Sequence, residues 1–308
     1  MSTDNIDTDP GTPIDDLSAC SQKSKLCAEP NVDVEFGAVS HAGRVRKNNE
    51  DHYMVVRLGR SLEPLLTNMP ADQFPDSVAE YGYGMVVADG MGGAAAGEVA
   101  SRMATNLLIK LVMDTAKWGR RIDEEEADAL MDRLEGYYKT IHLELINQGV
   151  INPATEGMGT TLTITYSFCS DLFVAHVGDS RAYLFREGKL KQLTHDHTVA
   201  QKLADQGEIP QEAVPKHRLR HILTNVLGGH DGPVITELEQ IQLMDRDRLM
   251  LCSDGLTDMV SDEEIAAVFR NIESPQEVCD KLLNLALEAG GKDNVTITMA
   301  RYRFAPEK

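Results

Sequence analysis

Basic residues are scarce in this chain: 30 Lys and Arg stand against 49 Asp and Glu, a net charge of −19 over 308 residues. Nucleic acid and anionic membrane surfaces need basic patches to hold them, so neither is expected as the main partner. Long apolar runs are missing too. No stretch approaches the ~18 consecutive apolar residues of a spanning helix. The acidic start, MSTDNIDTDPGTPIDD, has neither the basic opening nor the apolar centre of a secretion signal. Cysteines are few: Cys20, Cys27, Cys169, Cys252 and Cys279, an odd set with no close metal-ligand pairing. They read as reduced thiols of a cytoplasmic protein, mostly filling core space. Internal repeats are lacking as well.

What is present is an ordinary globular composition, 42% apolar and 26% charged, on a chain long enough for one large core or two modest ones. Residues 1–32, rich in Asp, Ser, Thr and Pro without periodicity, read as a disordered acidic tail. Beyond them, β-rich runs recur at 34–40, 53–58, 83–89, 160–166, 172–178, 182–186, 248–253 and 295–304. Apolar stripes predict helices over 98–113 and 123–147. Ser261 with Glu264, and Ser274-Pro275 with Glu277, have capping-box spacing, and Gly290-Gly291 marks a helix stop. This order is not a regular βαβ alternation. It fits an α+β fold, an antiparallel β-sandwich with helices packed outside.

The informative pattern is an apolar strand running into Asp and a small residue. It occurs as Val87-Ala88-Asp89-Gly90, Val177-Gly178-Asp179-Ser180 and Cys252-Ser253-Asp254-Gly255. Glu50-Asp51 and Asp293-Asn294 lead into two further strands. After Asp89 come Gly90, Gly92, Gly93 and three alanines, which suit either a tight turn or close approach of backbone to an ion or phosphate. Any one Asp can simply cap a turn. Five that converge would repel one another unless cations neutralise them. Oxygen-only ligands suit Mg²⁺ or Mn²⁺ rather than zinc, and two such ions roughly 4 Å apart favour attack on phosphorus.

At this point the chain resembles the metal-dependent protein serine/threonine phosphatases of type 2C, in their bacterial form. The matching pieces come in family order over roughly 34–303. They are Gly43-Arg44-Val45-Arg46-Lys47-Asn48-Asn49-Glu50-Asp51, Asp89-Gly90-Met91-Gly92-Gly93, Gly157-Met158-Gly159-Thr160-Thr161 and Gly178-Asp179-Ser180-Arg181. Leu193-Thr194-His195-Asp196-His197, Leu223-Thr224-Asn225-Val226-Leu227-Gly228, Ser253-Asp254-Gly255-Leu256 and Asp293-Asn294-Val295-Thr296 follow.

The resemblance implies a catalytic domain over 33–305, with pairs of helices on both faces of the sandwich and a small flap at about 199–223. It implies that Asp89 bridges two catalytic Mn²⁺ or Mg²⁺ ions, with the Gly90 carbonyl, Asp254 and Asp293 completing one shell. Asp51 serves the second ion with Glu50 beside it, and Asp179 shares a third with Asp254. Arg46 would grip the substrate phosphate, a metal-bridging water would attack phosphorus directly, and no phosphoenzyme would form. Animal relatives carry a histidine where this chain has Met91, which has no proton to donate. The acid would then be a water, metal-bound or not, or another side chain, with His41, His52 and His197 as candidates through closeness to the motifs alone. In the flap, the cluster Lys216, His217, Arg218, Arg220 and His221 offers phosphopeptide contacts, Arg218 and Arg220 above all, with His197 as another substrate-facing residue. The long 58–82 segment, with three prolines, is expected to cover a sheet edge. Expected partners are phosphorylated proteins, a serine/threonine kinase or its targets, met by a monomer. A pseudophosphatase kept as a binding module would have lost a metal aspartate; none is missing. A two-metal nuclease would need a basic track, which the −19 charge denies.

Overall fold

The computed structural model describes residues 32–62, 78–92, 96–114, 124–229 and 231–305. Strands there run over Val32–His41 (β1), Asp51–Leu62 (β2), Val78–Met91 (β3), Gly159–Thr160 (β4), Leu162–Phe168 (β5), Asp171–Val177 (β6) and Arg181–Arg186 (β7). Lys189–Gln192 (β8), Leu227–Gly228 (β9), Glu237–Gln242 (β10), Arg248–Cys252 (β11) and Val295–Phe304 (β12) follow. Helices cover Ala96–Asp114 (α1), Glu124–Ile151 (α2), Val199–Asp205 (α3), Asp254–Thr257 (α4), Asp262–Asn271 (α5) and Pro275–Glu288 (α6). One sheet has the order β1-β12-β11-β7-β8; the other runs β10-β6-β5-β3, with β2 on the free edge of β3 and the short β4 and β9 prolonging its end.

Alternation along the strands builds the layers, because successive side chains in a strand point to opposite faces. Met85 and Val87 enter the space between the sheets, where they meet Leu172, Val174, Leu249, Leu251 and Tyr302. Val86 and Ala88 point the other way, onto Ala100, Ala104, Tyr138, Ile141 and Leu145 of α1 and α2. Met250, Cys252, Ile297 and Met299 likewise leave the sandwich to meet Ile265, Phe269, Val278 and Leu282 of α5 and α6. Each such buried Val, Leu, Ile, Phe or Met side chain contributes about 1.5–3 kcal/mol. The Tyr302 hydroxyl donates to Ser167 Oγ across the sandwich at 3.0 Å. The expected α+β sandwich, with a helix pair on each face, is the architecture observed.

Some boundaries differ from the sequence expectation, for local reasons. β2 and β3 reach into the 58–82 segment, with Leu62 paired to Val78, so both ends of that segment continue a hairpin; residues 63–77 lie outside the described residues. The edge strands β8 and β10 are too rich in Lys, Glu and Gln to show a clear apolar alternation. Ser261 and Glu264 form the reciprocal capping box. Ser274 makes only half of one: its side chain accepts the Glu277 N–H, and Pro275 supplies the preset first turn. After α6 the chain turns through Gly290 and Gly291, both at positive φ. The expected acidic tail lies outside the described residues, apart from Val32, which opens β1. Among the described residues, no helix is long and apolar enough to cross a membrane.

Candidate metal centre

Antiparallel pairing decides which strand ends share a rim. Asp51 faces Asp89 directly across the β2–β3 ladder. Cys252, at the end of β11, pairs with Ile297 near the start of β12, and with Arg181 at the start of β7. Val177, ending β6, pairs with Leu162 at the start of β5. His41, ending β1, pairs with Val295. The segments carrying Arg46, Glu50, Asp51, Asp89, Asp179, Asp254 and Asp293 therefore all open on one end of the sandwich. Asp179 sits in the short link that carries the chain from one sheet to the other between β6 and β7.

Hydrogen bonds fix each carboxylate's surroundings. The Asp89 N–H donates to Thr161 Oγ1 at 2.9 Å, and its carbonyl accepts from Thr161 N–H at 2.9 Å and Thr160 Oγ1 at 2.8 Å. Asp51 is buried; its Oδ2 accepts from Ser253 Oγ at 2.7 Å, and Ser253 Oγ in turn accepts the Thr296 N–H at 3.0 Å. Asp51 Oδ1 is buried with no hydrogen-bond partner. Asn294 ties down the Arg46 loop: its Oδ1 accepts from Glu50 N–H at 2.7 Å, while its Nδ2 donates to the Ala42 and Asn48 carbonyls at 3.0 and 2.9 Å. Arg46 donates to Asp293 Oδ2 at 2.6 Å, with its side chain 57% exposed. Gly90 has a packing reason to be glycine: a Cβ there would run into the Gly97 and Glu50 carbonyls. Gly92, at φ +125°, occupies backbone space closed to a side chain. Residues 93–95 of the same stretch lie outside the described residues.

The electrostatics follow from this crowding. Burial, then repulsion from Asp51, Asp254, Asp179 and Asp293, pushes the Asp89 carboxyl well above the ordinary range. Asp254 rises in the same way, by burial and then by Asp179, Asp258, Asp293 and Asp51. Burial lifts Asp51 to about 6 against the lowering pull of Ser253. Burial and Asp196 lift Asp179 to about 7, with Arg181 opposing. Glu50 is raised chiefly by burial. An orphaned buried oxygen among carboxylates that raise one another is what an oxygen-ligated divalent cation would relieve. The donor set fits Mg²⁺ or Mn²⁺.

The histidines are engaged elsewhere. His52 Nδ1 pairs with Ser101 Oγ of α1 at 2.9 Å. His41 Nδ1 accepts the Gly43 N–H at 2.9 Å. His197 stacks on His176 with ring centroids 5.0 Å apart, its Nδ1 accepts the Gly178 N–H at 3.0 Å, and burial holds its pKa down at about 4. In the flap Arg218 is exposed, whereas Arg220 turns inward, Nε 3.5 Å from Asp258 Oδ1. The sequence pattern assigned Ser253, Asn294 and Asp258 no role of their own, and placed His221 only in the basic flap cluster, not beside the acids of α4. Only Asp258 carried a spacing signal, four residues and one helical turn after Asp254.

A family model described as Protein phosphatase 2C matches residues 72–287. The chain belongs to that family. It is 36% identical over 269 residues to the serine/threonine protein phosphatase PstP of Mycobacterium tuberculosis (strain ATCC 25618 / H37Rv), covering 87% of this chain and 45% of that protein. It thus spans about half the length of that relative. Its likeness to the serine/threonine phosphatase Stp of Listeria welshimeri is 33% over 258 residues, covering 83% of this chain and 91% of that one. The crystal structure of the PstP catalytic domain in complex with two manganese ions matches with a TM-score of 0.68 at 33% identity, over 88% of this chain and 99% of that chain. The two manganese ions belong to that structure, and the acidic, oxygen-rich rim of this chain is of a kind that suits such ions.

Proposed function

We propose that this chain is a metal-dependent protein phosphatase that hydrolyses phosphoserine and phosphothreonine in proteins. One observation carries the reading: at one end of the sandwich the charges of Asp51, Asp179 and Asp293 bear on both Asp89 and Asp254 and raise them, while Asp51 Oδ1 lacks any hydrogen-bond partner. In this reading Asp89, the Gly90 carbonyl, Asp254 and Asp293 hold one ion. Asp89 and Asp51, with Glu50 behind them, hold a second, and Asp179 shares a third with Asp254. When bound, such ions supply positive charge and lower the pKa of water for attack on phosphorus.

The chain's own groups do the orienting. Ser253 turns Asp51 so that Oδ1 stays free to coordinate. Asn294 holds the loop from which Arg46, beside Asp293, presents its fork to a phosphate oxygen pair. Lys216 and Arg218 are the exposed flap cations that could meet a phosphopeptide; Arg220 lies beside Asp258 and His197 accepts the Gly178 N–H. Met91 offers no proton, so protonation of the leaving alkoxide falls to water. Partners in this reading are phosphoproteins, a serine/threonine kinase or its targets, met by a cytoplasmic monomer. Retention of all five aspartates argues against a pseudophosphatase.

The test is turnover of p-nitrophenyl phosphate and of a phosphothreonine peptide with Mn²⁺, with and without EDTA, beside Asp89→Asn. Hydrolysis that needs Mn²⁺ and falls at least ~100-fold in Asp89→Asn is expected. A parent protein without metal-dependent turnover would end the reading.

A further inference from the structure

The flap returns to the body next to α4, and its last residues meet acids the metal reading leaves unexplained. Thr198 and Leu223 pair as an antiparallel bridge that closes the flap's base. His221 Nδ1 then lies 3.5 Å from Asp258 Oδ2 and 4.0 Å from Asp254 Oδ2. The Asp258 N–H bonds to the Asp254 carbonyl at 2.8 Å, so the two acids stand on one turn of helix. His221, Asp254 and Asp258 bring their ligand atoms within 4.8 Å of one another. Close enough for its charge to bear on Asp254 is Asp179, 8% exposed, to whose carboxylate no other residue donates a hydrogen bond among the described residues. The charge of Asp258 bears on both Asp179 and Asp254, and that of Asp179 on Asp254.

The imidazole distances are informative. A hydrogen bond from ring nitrogen to carboxylate oxygen spans about 2.7–3.2 Å, so neither contact is one. Two ligands on an octahedral ion at roughly 2.1 Å stand about 3.0 Å apart when adjacent and about 4.2 Å apart when opposite. The observed 3.5 and 4.0 Å fall between those limits. A second cluster, His176 with His197 and Glu237, does not compete. Both His176 ring nitrogens are taken, by Thr163 Oγ1 at 2.9 Å and the Gly178 carbonyl at 3.0 Å.

We propose that the ion shared by Asp179 and Asp254 is completed by Asp258 and by His221 Nδ1, a ligand supplied by the flap, so that occupancy of this position draws the flap onto the body. The inference rests on the third-ion reading above, and goes beyond it by assigning two more ligands and a consequence for the flap. Neutral imidazole is a good Mn²⁺ ligand, and a nitrogen in an otherwise all-oxygen centre gives a spectroscopic label for this position alone. Arg220, 3.5 Å from Asp258, is the competing cation when no ion is bound.

The experiment is Mn²⁺ binding to the full chain by equilibrium dialysis, with pulsed EPR for ¹⁴N modulation from a bound imidazole, on the parent, His221→Gln and Asp258→Asn. Circular dichroism confirms that each variant is folded. Three ions per chain and a ¹⁴N signal are expected in the parent. His221→Gln should lose the signal and bind the third ion on the order of tenfold more weakly, and Asp258→Asn should weaken the same ion. Trypsin cleavage at Arg218 should slow with Mn²⁺ in the parent but not in His221→Gln. Three ions bound equally by the parent and His221→Gln, or a ¹⁴N signal that survives the substitution, would overturn the flap ligand and leave the third ion standing. Two ions in the parent would remove both.

Discussion

Ser253 shows how much of the centre depends on a residue whose hydroxyl only positions a carboxylate. Its hydroxyl is a relay, accepting the Thr296 N–H and donating to Asp51 Oδ2. Ser253→Ala strands a buried backbone donor and a buried carboxylate oxygen together. A loss of about 1–3 kcal/mol in urea unfolding is expected, with a higher Mn²⁺ half-saturation concentration, because Asp51 then rotates freely. Unchanged Mn²⁺ dependence would show that Asp51 does not need the relay. Arg46 raises a different question at the same scale. Its exposed guanidinium makes one strong bond to Asp293 here, so its value for phosphate lies in the planar fork. Arg46→Lys keeps the charge and loses the fork. Steady-state kinetics should show kcat/KM for a phosphopeptide falling roughly tenfold or more, with stability nearly unchanged. A fall confined to stability would assign Arg46 a structural task. The residue scale is also where sequence reading ran out. Strand-end aspartates are visible as a pattern, but Ser253 and Asn294 act through partners over 40 and over 240 positions away, and no local spacing encodes that.

Elements explain why glycine recurs beside the acids. The end of β3 and the first turn of α1 pass so closely that Gly90 and Gly97 each occupy the space a Cβ would need on the other. Gly97 further leaves room for the Glu50 carboxylate, whose backbone N–H is held by Asn294. Helix, strand and Arg46 loop thus meet at a seam closed by two missing side chains. Gly90→Ala should push α1 off β3, costing about 1–3 kcal/mol in thermal or urea unfolding, with a matching loss of Mn²⁺ affinity as Asp89 moves. Wild-type stability and metal binding in that variant would refute the seam. Much at this scale was legible beforehand. The apolar run Met85-Val86-Val87-Ala88, buried on both faces, and the Ser261 box needed only strand composition and capping chemistry. β10 was not legible, because Glu237, Glu239 and Gln240 on an edge strand follow solvent rather than core.

For the whole molecule, folding gathers carboxylates that would be independent in the unfolded chain, and that gathering opposes folding unless something neutralises it. The sign follows from the shifts: Asp51 at about 6, Asp179 at about 7, and Asp89 and Asp254 raised well above the ordinary range all bind protons more tightly folded than unfolded. A carboxyl raised by folding adds stability below its unfolded pKa and loses it as pH climbs through the folded value. In EDTA, the melting temperature should therefore fall as pH rises from about 5 to about 8, steepest between 6 and 7, where Asp51 and Asp179 titrate. Saturating Mn²⁺ replaces those protons with ions that prefer the ionised carboxylates, so the slope should flatten or reverse. At 100 times the dissociation constant, one bound ion adds about 2.7 kcal/mol. Calorimetry across pH, with Mn²⁺ and with EDTA, measures both effects in one series. The Asp89→Asn variant should show a weaker slope in EDTA, since it relieves part of the repulsion, and a smaller gain from Mn²⁺, since it loses a ligand. Parallel pH profiles with and without metal would mean that the rim's acids are not neutralised by ions, and the centre would have to be read as a solvated acidic surface.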